Sequence, residues 1–142
     1  MKAKALAVKA ALGTALAVAT VLAPHADAAT VKTTTASCAA GTFKGNVSLK
    51  YETAGGRHDP IAAVVASGPY IGDSGRLTLK IFFVDHDVTT NVYTRIWGGI
   101  IPPKITQPIP DDVTTPDTAK SYVSAAFSGG TGALCTARAE IK

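Results

Sequence analysis

Two histidines and three carboxylates fall in two short polar stretches, and these residue types can hold a metal ion. His58 and Asp59 follow a Gly-Gly pair, whereas Asp85, His86 and Asp87 follow an apolar run. Zinc would use both imidazoles with one carboxylate, and calcium would use Asp85 and Asp87 with loop carbonyls. Short Asp-containing turns more commonly satisfy backbone donors, and nothing in the sequence brings the stretches together. We therefore expect no metal and no cofactor, and keep a small hydrolase or metal-dependent enzyme as an alternative.

The segment Gly72–Gly75, with the sequence Gly-Asp-Ser-Gly, resembles the nucleophile motif of chymotrypsin-like proteases. That chemistry requires Ser74 beside a histidine base that an aspartate orients. The resemblance ends there, because Arg76 stands where that family has a second glycine and the nearest upstream histidine, His58, is only 16 residues away. The chain is also too short for two six-stranded barrels. We interpret the motif as a polar turn leading into a strand, and assign no catalytic residue.

Tyr93, Arg95 and Trp97 share one side of a predicted strand rich in β-branched and aromatic residues, 88–97. Flat aromatic rings beside a hydrogen-bonding cation can stack on a sugar ring or contact a partner protein. These residues therefore form a candidate binding surface for a protein or a glycan. The alternative is that Tyr93 and Trp97 form the core face, since both residue types are commonly buried. Aromatic residues make up only 6% of the chain, which is lean for carbohydrate binding.

The segment 98–119 holds five of the eight prolines in the chain. Proline cannot donate to a sheet ladder, so we expect a long loop rather than a central strand. Stiff Pro-rich backbone loses little entropy on binding, and Lys104 could imitate a protease substrate. A secreted protease inhibitor is therefore a further functional hypothesis. The alternative is a crossover connection that four isoleucines hold against the domain: Ile100, Ile101, Ile105 and Ile109.

The N-terminus has the layout of a secretory signal peptide. Three lysines precede an uncharged, Ala-rich run at 10–23, and Ala26-Asp27-Ala28 offers a small-x-small cleavage site. The run is shorter than the roughly 20 apolar residues that a membrane span needs. We expect residues 1–28 to be a signal peptide and 29–142 to be one secreted domain with no membrane span. The Ala-rich leader and the single methionine, Met1, are typical of a high-GC bacterial source.

The charge of the expected domain does not indicate a nucleic-acid partner. The whole chain has a formal charge of +4, but residues 29–142 carry 11 basic and 9 acidic side chains, and so a charge of +2. The oligomeric state is left open by the sequence.

Cys38 and Cys135 are the only cysteines and lie 97 residues apart. Two cysteines in an exported chain are usually paired, and closing a loop of about 100 residues stabilises the fold by about 4.7 kcal/mol in the chain-entropy estimate. We expect one disulfide that joins the first strands to the last.

Alternation of apolar and polar residues predicts β-strands throughout the domain. The clearest is Arg76–Val84, where Leu77, Leu79, Ile81 and Phe83 share a face. In the last strand Cys135 shares a face with Ala137, Ala139 and Ile141. Turn residues separate the runs at 39–41, 54–60, 67–69, 72–75, 85–87 and 128–132. The remaining predicted strands are 30–37, 43–53, 61–66, 88–97 and 119–128.

About seven short strands separated by Gly/Pro turns predict an all-β, two-sheet, immunoglobulin-like β-sandwich in the broad sense. A jelly roll or a small barrel is the alternative. No credible catalytic set accompanies this pattern. The sequence therefore favours a secreted, non-enzymatic binding or cell-envelope-associated module of unknown ligand, with Tyr93, Arg95, Trp97 and Lys104 as candidate binding residues.

Overall fold

The computed structural model describes residues 28–69 and 71–142. Residues 1–27, which hold nearly all of the expected signal peptide, lie outside this described part. None of the described residues belongs to a helix that could cross a membrane. Within the same ranges the chain forms nine strands: β1 (Thr30–Ala40), β2 (Phe43–Ala54), β3 (Arg57–Gly68), β4 (Gly75–Asp85), β5 (Val88–Gly99), β6 (Lys104–Pro108), β7 (Thr115–Pro116), β8 (Lys120–Gly129) and β9 (Gly132–Ile141).

The strands form two antiparallel sheets. The five-stranded sheet has the order β1-β2-β3-β6, with β7 also paired to β3, and the four-stranded sheet has the order β5-β4-β8-β9. The prediction of an all-β, two-sheet sandwich is confirmed. The strands of the described part are more numerous than the seven expected, and seven of them are ten to twelve residues long rather than short.

The core lies between the sheets and is built from alternate residues of β2, β3, β4, β8 and β9. Val47 and Leu49 of β2 and Leu79 and Ile81 of β4 are fully buried members of this one core. Burying one such side chain fully contributes about 1.5–3 kcal/mol. The alternation predicted for β2, β4, β8 and β9 is confirmed, because the expected apolar faces are buried apart from Phe83 and Cys135, which are half-buried.

A glycine and a disulfide bring the two sheets together at one end. Gly45 of β2 lies under the ring of Phe127 of β8, which also packs edge-on against Phe43 at a centroid distance of 5.3 Å. Cys38 pairs with Gly45 in one sheet and Cys135 pairs with Phe127 in the other. The two cysteines form the predicted disulfide, with their Cα atoms 5.8 Å apart. The bond therefore ties β1 to β9 across the sandwich.

Side chains of the five-stranded sheet continue this seam along the edge of β9. The Thr34 hydroxyl donates to the carbonyl of Glu140 at 2.8 Å, and the Tyr51 hydroxyl donates to the carbonyl of Lys142 at 2.7 Å. The Lys32 ammonium reaches the same Lys142 carbonyl at 3.0 Å. These bonds satisfy main-chain acceptors that the edge strand would otherwise expose to solvent.

The Pro-rich segment is a crossover between the sheets, and it contains two short strands where the sequence predicted a continuous loop. Its β6 runs along the outer edge of β3, and hydrogen bonds extend the contact, from Ser67 N–H to the Pro103 carbonyl and from Ile109 N–H to the Ile61 carbonyl, both at 2.9 Å. Ile109 is buried together with Ile101, whereas Ile100 remains exposed. The crossover alternative is therefore the observed arrangement.

Several turns are tighter than predicted. The first connection is Gly41–Thr42, and the second is Gly55–Gly56, so β3 already includes residues 57–60 that the sequence assigned to a turn. Ile71 lies outside the strands, and Tyr70 lies outside the described residues. The β4–β5 hairpin closes through His86 and Asp87, whose φ angles are 46° and 63°. Two successive positive φ values match the twist of a two-residue hairpin.

Candidate functional site

The aromatic residues predicted to bind lie on the inner face of the four-stranded sheet. Tyr93 pairs with Ile81 and Trp97 with Leu77, and both aromatic side chains are half-buried against the margin of the core. Arg95 lies between them, exposed, with its guanidinium 5.8 Å from the Trp97 ring centroid. The shared face is thus confirmed, and it coincides with the core face considered as the alternative. Binding by these residues stays a prediction.

Lys104 is exposed at the start of β6, where it pairs with Ala66 of β3. Its neighbour Ile105 packs against the core, so the side chains of β6 alternate between the interior and solvent. The lysine is consequently displayed from a hydrogen-bonded strand and not from a projecting loop.

The two candidate metal-binding histidines have different environments. His86 is exposed in the β4–β5 hairpin, with Nδ1 2.8 Å from a carboxylate oxygen of Asp85. His58 is buried on β3, where Nδ1 and the Thr53 hydroxyl oxygen are 2.9 Å apart. Among residues 28–69 and 71–142, no three side chains of the ligand-forming types come together in a way that could hold a metal ion.

Burial lowers the pKa of His58 below its ordinary value. Lys32 acts in the same direction, while Asp117 and Asp59 oppose the effect. The Tyr51 ring meets the imidazole edge-on, with centroids 5.7 Å apart. Burial therefore favours the neutral form of the His58 imidazole, which lies beside a small cleft at this end of the sandwich.

Ser74 belongs to a turn immediately before β4. This agrees with the interpretation of the Gly-Asp-Ser-Gly sequence as a polar turn that leads into a strand.

A second cluster lies on the outer face of the four-stranded sheet, which we call the groove face. Phe82 of β4 and Tyr122 of β8 are directly paired, and their rings stack with centroids 5.4 Å apart. The guanidinium carbon of Arg138, from β9, lies 3.8 Å from the Tyr122 centroid and 4.9 Å from that of Phe82. Three strands thus build one stack in which an arginine covers two aromatic rings.

Beside this stack the sheet carries small side chains, and a groove of about 450 Å³ opens over them. Ser124 and Ala126 form its floor, because their short side chains leave space above the sheet. The longer side chains of Lys80 and Phe82 line its sides. Four further residues supply hydroxyl or amide groups to the lining: Thr78, Thr89, Asn91 and Thr136.

The groove face is positively charged. Strand register places Arg76, Lys80, Lys120 and Arg138 on it, and Glu140 is its only carboxylate among the described residues. Glu140 lies 3.4 Å from the Lys142 ammonium. Arg138 forms no ion pair with any residue of the described ranges.

The side chains of the groove face offer groups for ion pairs and hydrogen bonds with a ligand. A stacked guanidinium keeps its N–H edge free for a carboxylate, sulfate or phosphate. The hydroxyl and amide groups around the groove both donate and accept hydrogen bonds. The sequence contained a partial signal for this surface, because Tyr122 and Phe82 fall on the polar side of otherwise regular strands.

No family model, curated protein or solved structure matches this chain.

Proposed function

We propose that this protein is a non-enzymatic binding module that holds an acidic, polyhydroxylated chain, such as an acidic polysaccharide, on its groove face. The observation that carries the proposal is Arg138, which lies across Phe82 and Tyr122 without a carboxylate partner in the described residues.

The stack supports an anionic ligand because it prepares Arg138 for binding. A free arginine side chain loses about 2 kcal/mol of rotamer entropy when it is fixed. Contact with two rings restricts Arg138 before any ligand arrives, so less entropy is lost on binding. The planar fork of the guanidinium then suits a carboxylate or sulfate, which it contacts with two parallel hydrogen bonds.

The groove supports a polyhydroxylated ligand because of its lining. Thr78, Asn91 and Thr136 present polar groups over a floor of short side chains, and Lys80 adds a second cation beside them. A surface for an apolar partner would instead present a contiguous hydrophobic patch. A chain that alternates hydroxyl groups with negative charges uses both features of the groove.

An exported location is part of the proposal. The Cys38–Cys135 disulfide is typical of an oxidising, non-cytoplasmic environment. Together with the leader-like sequence before Ala28, it supports secretion to the cell surface or the medium, where acidic polysaccharides of the envelope are accessible. Secretion of the folded domain is tested by its appearance in the medium after expression with its own leader.

The direct test is the affinity for a soluble polyuronate, measured by titration calorimetry at two salt concentrations. Arg138→Gln should weaken binding at least tenfold, because a hydrogen bond to a charged group contributes about 1.5–3 kcal/mol. Arg138→Lys should recover only part of the affinity, since lysine keeps the charge but loses the planar fork. Affinity should fall as salt rises.

Lys50→Gln is the matched control, because Lys50 is an exposed cation in β2 of the other sheet. It removes the same charge and should leave the affinity unchanged. The proposal is wrong if the protein binds no acidic polysaccharide, or if Lys50→Gln and Arg138→Gln weaken binding equally.

A further inference from the structure

The two sheets have four edges in the described part of the chain, one of which β6 and β7 share, and three of these edges are protected. β1 and β9 meet at the seam of the sandwich, where the disulfide and the Thr34 hydrogen bond join them. β6 is only five residues long, and prolines stand before it, at its end and just after it. Short strands and prolines are devices that keep a sheet edge from pairing with another chain.

β5 lacks this protection. It is twelve residues long, pairs with β4 alone among the described strands, contains no proline and has one charged residue, Arg95. Exposed hydrophobic residues concentrate along it and just after it: Val88 is 64% exposed, Ile96 47% and Ile100 70%. A long edge strand with unpaired N–H and C=O groups is a template for another strand.

A β-bulge limits the regular part of this edge. The register between β4 and β5 shifts after Ile81, so Val92 is the extra residue on β5. From Tyr93 to Gly99 the ladder with β4 is continuous. These seven residues are the segment that can accept a further strand without interruption.

We propose that two copies of this protein associate through β5, with Tyr93–Gly99 of one copy antiparallel to the same segment of the other. The two-fold axis passes between the two copies of Ile96. The two four-stranded sheets become one sheet of eight strands. A two-fold contact of this kind is isologous, so each copy uses the same surface and the assembly closes at two.

This register suits the side chains of the strand. On the axis, Ile96 of one copy lies beside Ile96 of the other on the outer side of the joined sheet. This contact removes apolar surface of both side chains from water. Arg95 lies opposite Trp97 of the other copy and not opposite a second Arg95. An arginine beside an aromatic ring is favourable, whereas like charges directly opposite each other are destabilising.

Beyond the paired segment, the same register brings Ile100, which is the most exposed of the large hydrophobic residues, near the bulge at Val92 of the other copy. The contact remains small because one strand pair is involved, so association should be weak and concentration-dependent. The two groove faces would lie on the same side of the joined sheet.

Sedimentation equilibrium over a range of protein concentrations tests the proposal. The average mass of the wild-type protein should rise towards twice the monomer mass as concentration increases. Ile96→Lys should keep the protein monomeric at every concentration, because it sets two charges against each other on the axis. Val31→Lys is the control, since Val31 is 48% exposed at another edge, and it should leave the dimer intact.

A cysteine at the axis tests the register itself. Ile96→Cys should form a disulfide-linked dimer under mild oxidation, whereas Val31→Cys should remain monomeric. Polysaccharide binding is not needed for either readout, so failure of the dimer is distinguishable from failure of the proposed function. A wild-type protein that stays monomeric, a dimer that persists in Ile96→Lys, or equal cross-linking of both cysteine variants would overturn the inference.

Discussion

Replacing Gly45 by alanine should destabilise the sandwich far more than a single methyl group ordinarily does. A Cβ atom at this position would lie 2.3 Å from Cε2 of Phe127, and two further ring atoms would lie 2.7 and 2.8 Å away. Favourable contacts between carbon atoms are about 3.5–4.0 Å long. The Phe127 ring would therefore have to move by more than about 1 Å, although it is only 2% exposed and already packs on Phe43.

Neither side of this contact can withdraw easily. Cys38 pairs with Gly45 and Cys135 pairs with Phe127, so the disulfide holds the two sheets together beside the new methyl group. Overpacking a core costs about 1–3 kcal/mol, and this tethered site should lie at the upper end. Equilibrium urea unfolding should show a loss of about 3 kcal/mol, which corresponds to roughly 10 °C in melting temperature.

Two further variants test whether the contact with Phe127 causes this loss. Gly98→Ala is the matched control, because a Cβ there meets nothing within 4 Å, and it should be neutral or stabilise by up to about 1 kcal/mol. In the Phe127→Leu background, Gly45→Ala should cost at least about 1 kcal/mol less than in the wild type, since coupled neighbours are not additive. A stability loss under about 1 kcal/mol for Gly45→Ala alone would refute the close approach of the two sheets here.

Two other perturbations test the seam and the buried imidazole. Reduction of the Cys38–Cys135 bond should lower the unfolding free energy by about 2–4 kcal/mol in urea titrations, and unchanged melting would mean that the thiols are unpaired. Burial lowers the pKa of His58 in the folded state, so the unfolded chain binds the proton more tightly. The contribution of buried, neutral His58 to the free energy of unfolding should be complete above about pH 6.5. It should be lost as the pH falls below that value. Urea midpoints at pH 8 and pH 5 should show this loss in the wild type and in His86→Gln but less of it in His58→Gln; an equal loss in all three proteins would exclude His58 as its source.

The parts of the fold that sequence reasoning predicted are those where local pattern and burial agree. In β4, the residues Leu77, Leu79 and Ile81 alternate with polar ones because one face of the strand meets the core and the other meets solvent. The disulfide was predictable for a different reason, since the chain offers only one pairing of cysteines.

The start of β3 was not predictable in the same way. Arg57, His58, Asp59 and Pro60 have the composition of a turn, and proline cannot donate to a ladder. Pro60 lies where the register with β2 shifts, next to the extra residue Ile61. The ring nitrogen Nδ1 of His58 shares a hydrogen bond with the Thr53 hydroxyl. Tertiary pairing with β2 and β7 thus overrides a local preference, and only the three-dimensional fold supplies that pairing.

The groove face depends on strand order, which the sequence pattern does not contain. Phe82, Tyr122 and Arg138 are separated by up to 56 residues and meet because β4, β8 and β9 are neighbours. Each residue is visible in the sequence as a large side chain on the polar side of its strand, but their stacking is not. The aromatic pair Tyr93 and Trp97 gave the stronger local signal, and the structure places it on the inner face.

Chemical-shift mapping on ¹⁵N-labelled protein titrated with an oligouronate shows directly whether the groove face binds the ligand. If the groove face is the binding surface, the largest shift changes fall on β4, β8 and β9 around Lys80, Tyr122 and Arg138, and they saturate with ligand. Changes centred on the inner face at Tyr93 and Trp97 or on the strand that begins at Lys104 would place binding elsewhere. An absence of saturable changes would contradict the proposed function.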